Sequence, residues 1–120
     1  MSPAMREPLS RQTDTARIGE VRRMIADALA ACAPRLAGHR VVLFGSRARG
    51  TAGARSDFDL GVDGAEPLPL VDFFAVEDAL ESLPTLYRID WVDLRRVSPE
   101  FRERALRHVE TIYEPALDTL

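Results

Sequence analysis

The fold is decided by Leu43-Phe44-Gly45-Ser46-Arg47-Ala48-Arg49-Gly50, followed closely by Ser56-Asp57-Phe58-Asp59-Leu60. Val41-Val42-Leu43-Phe44 is an unbroken apolar run, the pattern of a buried strand. It stops abruptly at Gly45-Ser46. Arg47 to Ser56 is rich in Gly, Ala and Arg, which predicts a short helical turn followed by a loop. From Asp57 to Val62 acidic and apolar residues alternate with period two, so this segment is expected to be a strand with one charged face.

On the N-terminal side, Ile18, Val21, Ile25, Ala28, Leu29 and Cys32 recur at helical spacing. They predict an amphipathic helix from Asp14 to Ala33, capped by Thr13 or Asp14 and ended by Pro34. Residues 1–13, polar and proline-containing, are expected to be flexible. On the C-terminal side, Pro67 and Pro69 mark a loop. Leu70, Phe73, Phe74, Glu77, Leu80 and Leu83 then predict a helix stopped by Pro84. Arg88 to Leu94 is a third strand. Ser98 and Pro99 are an N-cap and a first-turn proline, opening a helix through Arg107 or His108. Thr111-Ile112-Tyr113 adds a short last strand. This order predicts one α/β (α+β) domain over 14–114, a small mixed sheet with helices mainly on one face, and a tail over 115–120.

Composition removes several classes of function. The 120 residues suit one core but not separate catalytic and nucleic-acid-gripping domains. A net charge of −3 gives the chain no overall attraction for DNA or RNA. All 16 basic residues are arginine, and this excludes both a Walker-type phosphate loop and a lysine Schiff base. Cys32 is the only cysteine, so no internal disulfide forms, and with only His39 and His108 beside it a structural zinc site is not expected. No run approaches the roughly 20 apolar residues of a membrane span, and residues 1–13 have no apolar core of a signal peptide. The expected location is the cytoplasm.

The chemistry lies in the order of the motifs. In a strand, residues two apart share a face roughly 7 Å apart along the chain, so Asp57 and Asp59 are expected to project together while Phe58 and Leu60 turn inward. Paired carboxylates repel, and a divalent cation relieves that repulsion. Magnesium favours carboxylate and phosphate oxygens at about 2.1 Å, and two such ions lie roughly 3.5–4 Å apart in phosphoryl-transfer sites. Gly45 permits close backbone approach to a ligand, and Ser46 adds a hydroxyl beside the following amides. Arg47, Arg49 and Arg55 flank the same loop. Singly, each feature is ordinary: a solvated acidic edge, a strand-to-turn glycine, surface arginines. Together they describe one triphosphate site.

This pattern resembles the signature of the DNA polymerase β-type nucleotidyltransferases, and most of all the minimal nucleotidyltransferases, which pair with all-helical HEPN proteins in toxin–antitoxin systems. The resemblance covers roughly residues 20–114. It implies transfer of a nucleoside monophosphate, AMP from ATP, to a hydroxyl acceptor, a tyrosine of the HEPN partner, with the chain acting as antitoxin in a hetero-oligomer. It assigns Gly45, Ser46 and Arg47 to the phosphates, and Asp57, Asp59 and a third acid on a later strand to two Mg2+ ions. Ile89-Asp90-Trp91-Val92-Asp93-Leu94 is similar to that strand. Its register points to Asp90, whereas Asp93, three positions on, faces the other side and is expected to be an exposed surface acid. The fingers and template-binding domains of polymerases are absent, so templated nucleic acid is not expected as a partner. Two other functions use the same residues: an antitoxin that acts by occlusion alone, and a transferase for an aminoglycoside-like small molecule.

Overall fold

The computed structural model of the protein describes residues 6–53 and 55–115, with side chains from Thr15 onward. Four strands form one mixed sheet in the order β3-β2-β1-β4, where β1 is His39–Phe44, β2 Phe58–Gly64, β3 Ile89–Asp93 and β4 Glu110–Tyr113. β1 is antiparallel to both β2 and β4, while β2 and β3 run parallel. The parallel pair needs a crossover, supplied by helix α3 (Leu70–Glu81).

The period-two pattern sorts side chains to two faces. Val41, Leu43, Phe58, Leu60, Val62 and Trp91 meet Val21, Ile25 and Leu29 of helix α1 (Arg6–Ala31) together with Val76 and Leu80 of α3. Val42, Phe44 and Leu94 turn the other way and pack against Ala105 of helix α4 (Pro99–Leu106). Two helices therefore cover one face and the short α4 covers part of the other. Ser98 caps α4 by accepting from the Phe101 amide at 3.1 Å, and Pro99 follows the cap, as expected from the sequence.

α4 is held in place by charge as well as apolar contact. Asp63, buried on β2, accepts from Arg102 Nη2 at 3.1 and 3.2 Å and has Arg95 and Arg40 at 3.6 and 3.7 Å. A buried carboxylate is tolerated only when paired, and here the pairing ties α4 to β2.

The N-terminal helix differs from expectation. It runs from Arg6 rather than Asp14, with Pro8 in its first turn, where a missing amide proton costs no helical hydrogen bond. Thr13 and Asp14 therefore lie within the helix, not at its cap. The predicted flexible segment over 1–13 is helical from Arg6; its remainder lies outside the described residues, as does 116–120 of the tail. The helix ends at Ala31, and Pro34 sits inside a following 3-10 turn, Ala33–Arg35.

Candidate active site

β1 ends at Phe44, and the chain turns through Gly45 into a four-residue helix, α2 (Ser46–Arg49). Gly45 has φ 76° and ψ −153°, a conformation that residues with a Cβ rarely adopt. A Cβ there would also collide with the Asp59 carboxylate, whose Cγ would lie 3.2 Å away. The glycine is thus needed twice: for the turn, and to leave room for an acid on the neighbouring strand.

Phe44 pairs with Asp59 across β1 and β2, and Asp59 pairs with Asp90 across β2 and β3. In-register partners of a parallel pair point to the same face, so Asp59 and Asp90 stand side by side on the face that carries α4. Their carboxyl groups come within hydrogen-bonding range. The Asp59 carboxyl is pushed above its ordinary value by burial first, then by the charge and hydrogen bond of Asp90 and the charge of Asp57; Arg49 pulls it partly back. Asp57 is exposed, one residue ahead of β2, so the strand begins at Phe58 and not at Asp57.

The two acids of β3 separate cleanly. Asp93, expected at the surface, is instead 4% exposed. Its carboxylate accepts from the Leu68 amide at 2.8 Å and the Arg95 amide at 2.9 Å, with Arg96 at 3.5 Å. It anchors the loop before α3 and the turn after β3. Among the described residues Asp90 makes, besides its approach to Asp59, a 3.0 Å ion pair with exposed Arg88. The opposite orientation of the two acids follows from their odd spacing; the burial of Asp93 depends on a loop 25 residues away.

Arg47 is engaged by the loop and by the opposite face of the sheet, while staying within electrostatic reach of Asp57 and Asp59. Its guanidinium donates to the Ser56 carbonyl, through Nε at 3.1 Å and also through Nη2, and lies 4.1 Å above the centre of the Phe58 ring. Phe58 belongs to the face covered by α1 and α3, opposite Asp59. Burial lowers the pKa of Arg47, while Tyr87 and the carboxylates of Asp57 and Asp59 raise it in part. The guanidinium braces the loop that delivers Asp57. Arg49, by contrast, stands on the acid side, close enough to act on Asp59. The sequence showed both arginines beside the loop, but their directions depend on α2.

The donor set is all oxygen: two carboxylates in contact and a third close by. Among the described residues no three His, Cys, Asp or Glu side chains converge on one point as a complete metal cage. Magnesium is commonly held by one or two carboxylates with substrate phosphates completing its shell, and the residues present fit that arrangement.

Residues 37–116 match the family model described as polymerase beta, nucleotidyltransferase. A solved structure provisionally described as a minimal nucleotidyltransferase is 35% identical, with a TM-score of 0.53 over 77% of this chain and 92% of that one. The fold is shared with a toxin–antitoxin complex with AMP-PNP, at 24% identity and a TM-score of 0.57 over 77% of this chain and 72% of that one. It is also shared with a structure of a tri-AMPylated Shewanella oneidensis HEPN toxin in complex with its MNT antitoxin, at 18% identity and a TM-score of 0.53 over 77% and 71%. No curated protein is significantly similar. The chain belongs to the polymerase β nucleotidyltransferase family. Within that family it is of the minimal nucleotidyltransferase type. Among the described residues, no helix is long and apolar enough to cross a membrane.

Proposed function

We propose that the chain transfers a nucleoside monophosphate, AMP from ATP, to the hydroxyl of a tyrosine on a HEPN-type partner protein and so acts as its antitoxin. The observation that carries this reading is the in-register contact of Asp59 and Asp90 beside Gly45. Packing does not require two adjoining acids there, and a bound cation would offset the repulsion that Arg88 and Arg49 relieve only in part. The relatives that share the fold include a toxin–antitoxin complex with AMP-PNP and an AMPylated HEPN toxin bound to its antitoxin, which supports the choice of nucleotide and partner.

Gly45 and Ser46 hold the β and γ phosphates, through backbone amides and the Ser46 hydroxyl. Asp57 and Asp59 would hold the metal ions, and Asp90 would help hold one of them. Asp90 also receives the proton of the acceptor hydroxyl. The acceptor oxygen then forms a bond to the α-phosphorus as the bond to the bridging oxygen breaks, and pyrophosphate leaves. Two Mg2+ ions supply charge neutralisation on the phosphates when bound. The remaining catalysis is positioning.

The test is incubation of the chain with α-labelled ATP, magnesium and a HEPN-type partner. Label should pass to a partner tyrosine, and none should pass with Asp57→Asn and Asp59→Asn combined. If the wild-type chain binds and silences the partner without labelling it, inhibition is by occlusion and the transfer reading is wrong.

A further inference from the structure

Beside Gly45, on the face that carries the acids, lies a cavity of about 250 Å³ between α2 and α4. Phe44 and Phe101 line it, packed edge to face with ring centres 6.0 Å apart. Arg49 enters from α2, and Arg104 and His108 enter from α4 and the residues that follow it. Arg104 belongs to the last turn of α4 and His108 to the bend that follows it, and both border the same cavity.

The charge around this cavity is unbalanced. Among the described residues, the other two arginines of the α4 segment are matched: Arg102 with Asp63 and Arg107 with Glu103. Among the described residues Arg49, Arg104 and His108 form no ion pair, although Arg49 lies within electrostatic reach of Asp59. In a chain whose net charge is −3, convergence of these three groups on one concavity calls for an anion. Asp59 adjoins Gly45, and Gly45 borders the cavity. A ligand that spans from the acids into the cavity therefore carries its reactive end at Asp59 and its anionic end at α4.

We propose that Arg104 and His108, together with Arg49, seat the terminal phosphates of the nucleoside triphosphate and hold the leaving pyrophosphate. This rests on the nucleotide-transfer reading for the identity of the ligand, but not for the presence of an anion site. Under it, α4 is a working part of the site and Asp63–Arg102 is the pin that positions it.

The experiment measures binding of inorganic tripolyphosphate, a non-hydrolysable ATP analogue and AMP to the full chain with magnesium. It compares wild type with Arg104→Ala combined with His108→Ala, and with Arg104→Lys. Both side chains are exposed, so the variants keep the core, and thermal melts check this. The double variant should bind tripolyphosphate and the ATP analogue roughly 10- to 100-fold more weakly and leave AMP affinity unchanged, whereas Arg104→Lys should keep most of the tripolyphosphate affinity. Equal loss of AMP affinity, or unchanged tripolyphosphate affinity in the double variant, would overturn the assignment while leaving the transfer reading intact. If tripolyphosphate binds in an Arg104-dependent way but neither nucleotide binds, the anion seat stands and the transfer reading fails. If wild type binds neither tripolyphosphate nor ATP analogue, both fail.

Discussion

The carboxylate of Asp59 fills the space that a side chain at residue 45 would occupy. Gly45→Ala therefore meets two penalties, a positive φ and a collision with the acid. The expected cost is about 1–3 kcal/mol of stability, with displacement of Asp59 and loss of transfer. Introducing the same change into an Asp59→Ala background removes the collision and leaves only the backbone strain. A double-mutant cycle by chemical denaturation should thus show coupling between the two positions. Additive costs would mean that the acid does not constrain residue 45.

Asp59 makes stability depend on pH in a predictable direction. Its folded pKa lies above the ordinary value of 3.8 because of burial and the neighbouring acids. The folded protein holds this proton more tightly than the unfolded chain. Its contribution is therefore fully present below the ordinary value and is lost as pH rises through the raised folded value. Asp59→Asn cannot ionise, so it should melt higher than wild type at neutral pH, and the difference should vanish in acid. Magnesium should raise the neutral-pH melting temperature of wild type more than that of the variant. Thermal scans across pH, with and without magnesium, give both results. A variant that melts lower at neutral pH would mark Asp59 as structural.

Asp90 and Asp93 are expected to fail in different ways. Asp90→Asn should slow transfer by about 10²–10⁴-fold, the usual worth of general-base assistance, with the fold intact. Asp93→Ala strands two buried amides and unpairs Arg96. It should cost about 2–4 kcal/mol, while any remaining folded protein keeps the Asp59–Asp90 pair. Transfer rates corrected for folded fraction, beside denaturation midpoints, separate the two. Full activity in Asp90→Asn would remove the third carboxylate from the mechanism.

Arg47→Ala removes a forked contact to the Ser56 carbonyl and a cation stacked on Phe58. A loss of about 1–2 kcal/mol is expected. Triphosphate affinity should change less than in Ser46→Ala, because the guanidinium is already engaged by the Ser56 carbonyl and the Phe58 ring. Arg47→Lys should not restore stability, since an ammonium cannot reproduce the planar fork. Calorimetric titration with a non-hydrolysable triphosphate tests the comparison. A larger affinity loss in Arg47→Ala than in Ser46→Ala would place Arg47 at the phosphates after all.

The sequence by itself determined most of the elements and the class of chemistry. The apolar run at Val41 to Phe44, the alternation after Asp57, the Ser98-Pro99 start and the helical stripe of Val21, Ile25 and Leu29 are local patterns with local causes. Period two sufficed to send Asp59 one way and Phe58 the other, and to set Asp90 and Asp93 on opposite faces. What these patterns lack is distance. That Asp59 meets Asp90 depends on the parallel register of β2 and β3, which the α3 crossover permits. That Asp93 is buried depends on Leu68, Arg95 and Arg96 closing over it. The direction of Arg47 depends on the turn at Gly45 and on a ring from the next strand. The cavity joins residues 49 and 104, which share a wall because the Asp63–Arg102 pair and the apolar contacts of Phe44 with Phe101 and Ala105 hold α4 over the sheet. Side-chain periodicity is written residue by residue, but contact between distant segments is decided by packing, and only the tertiary structure contains it.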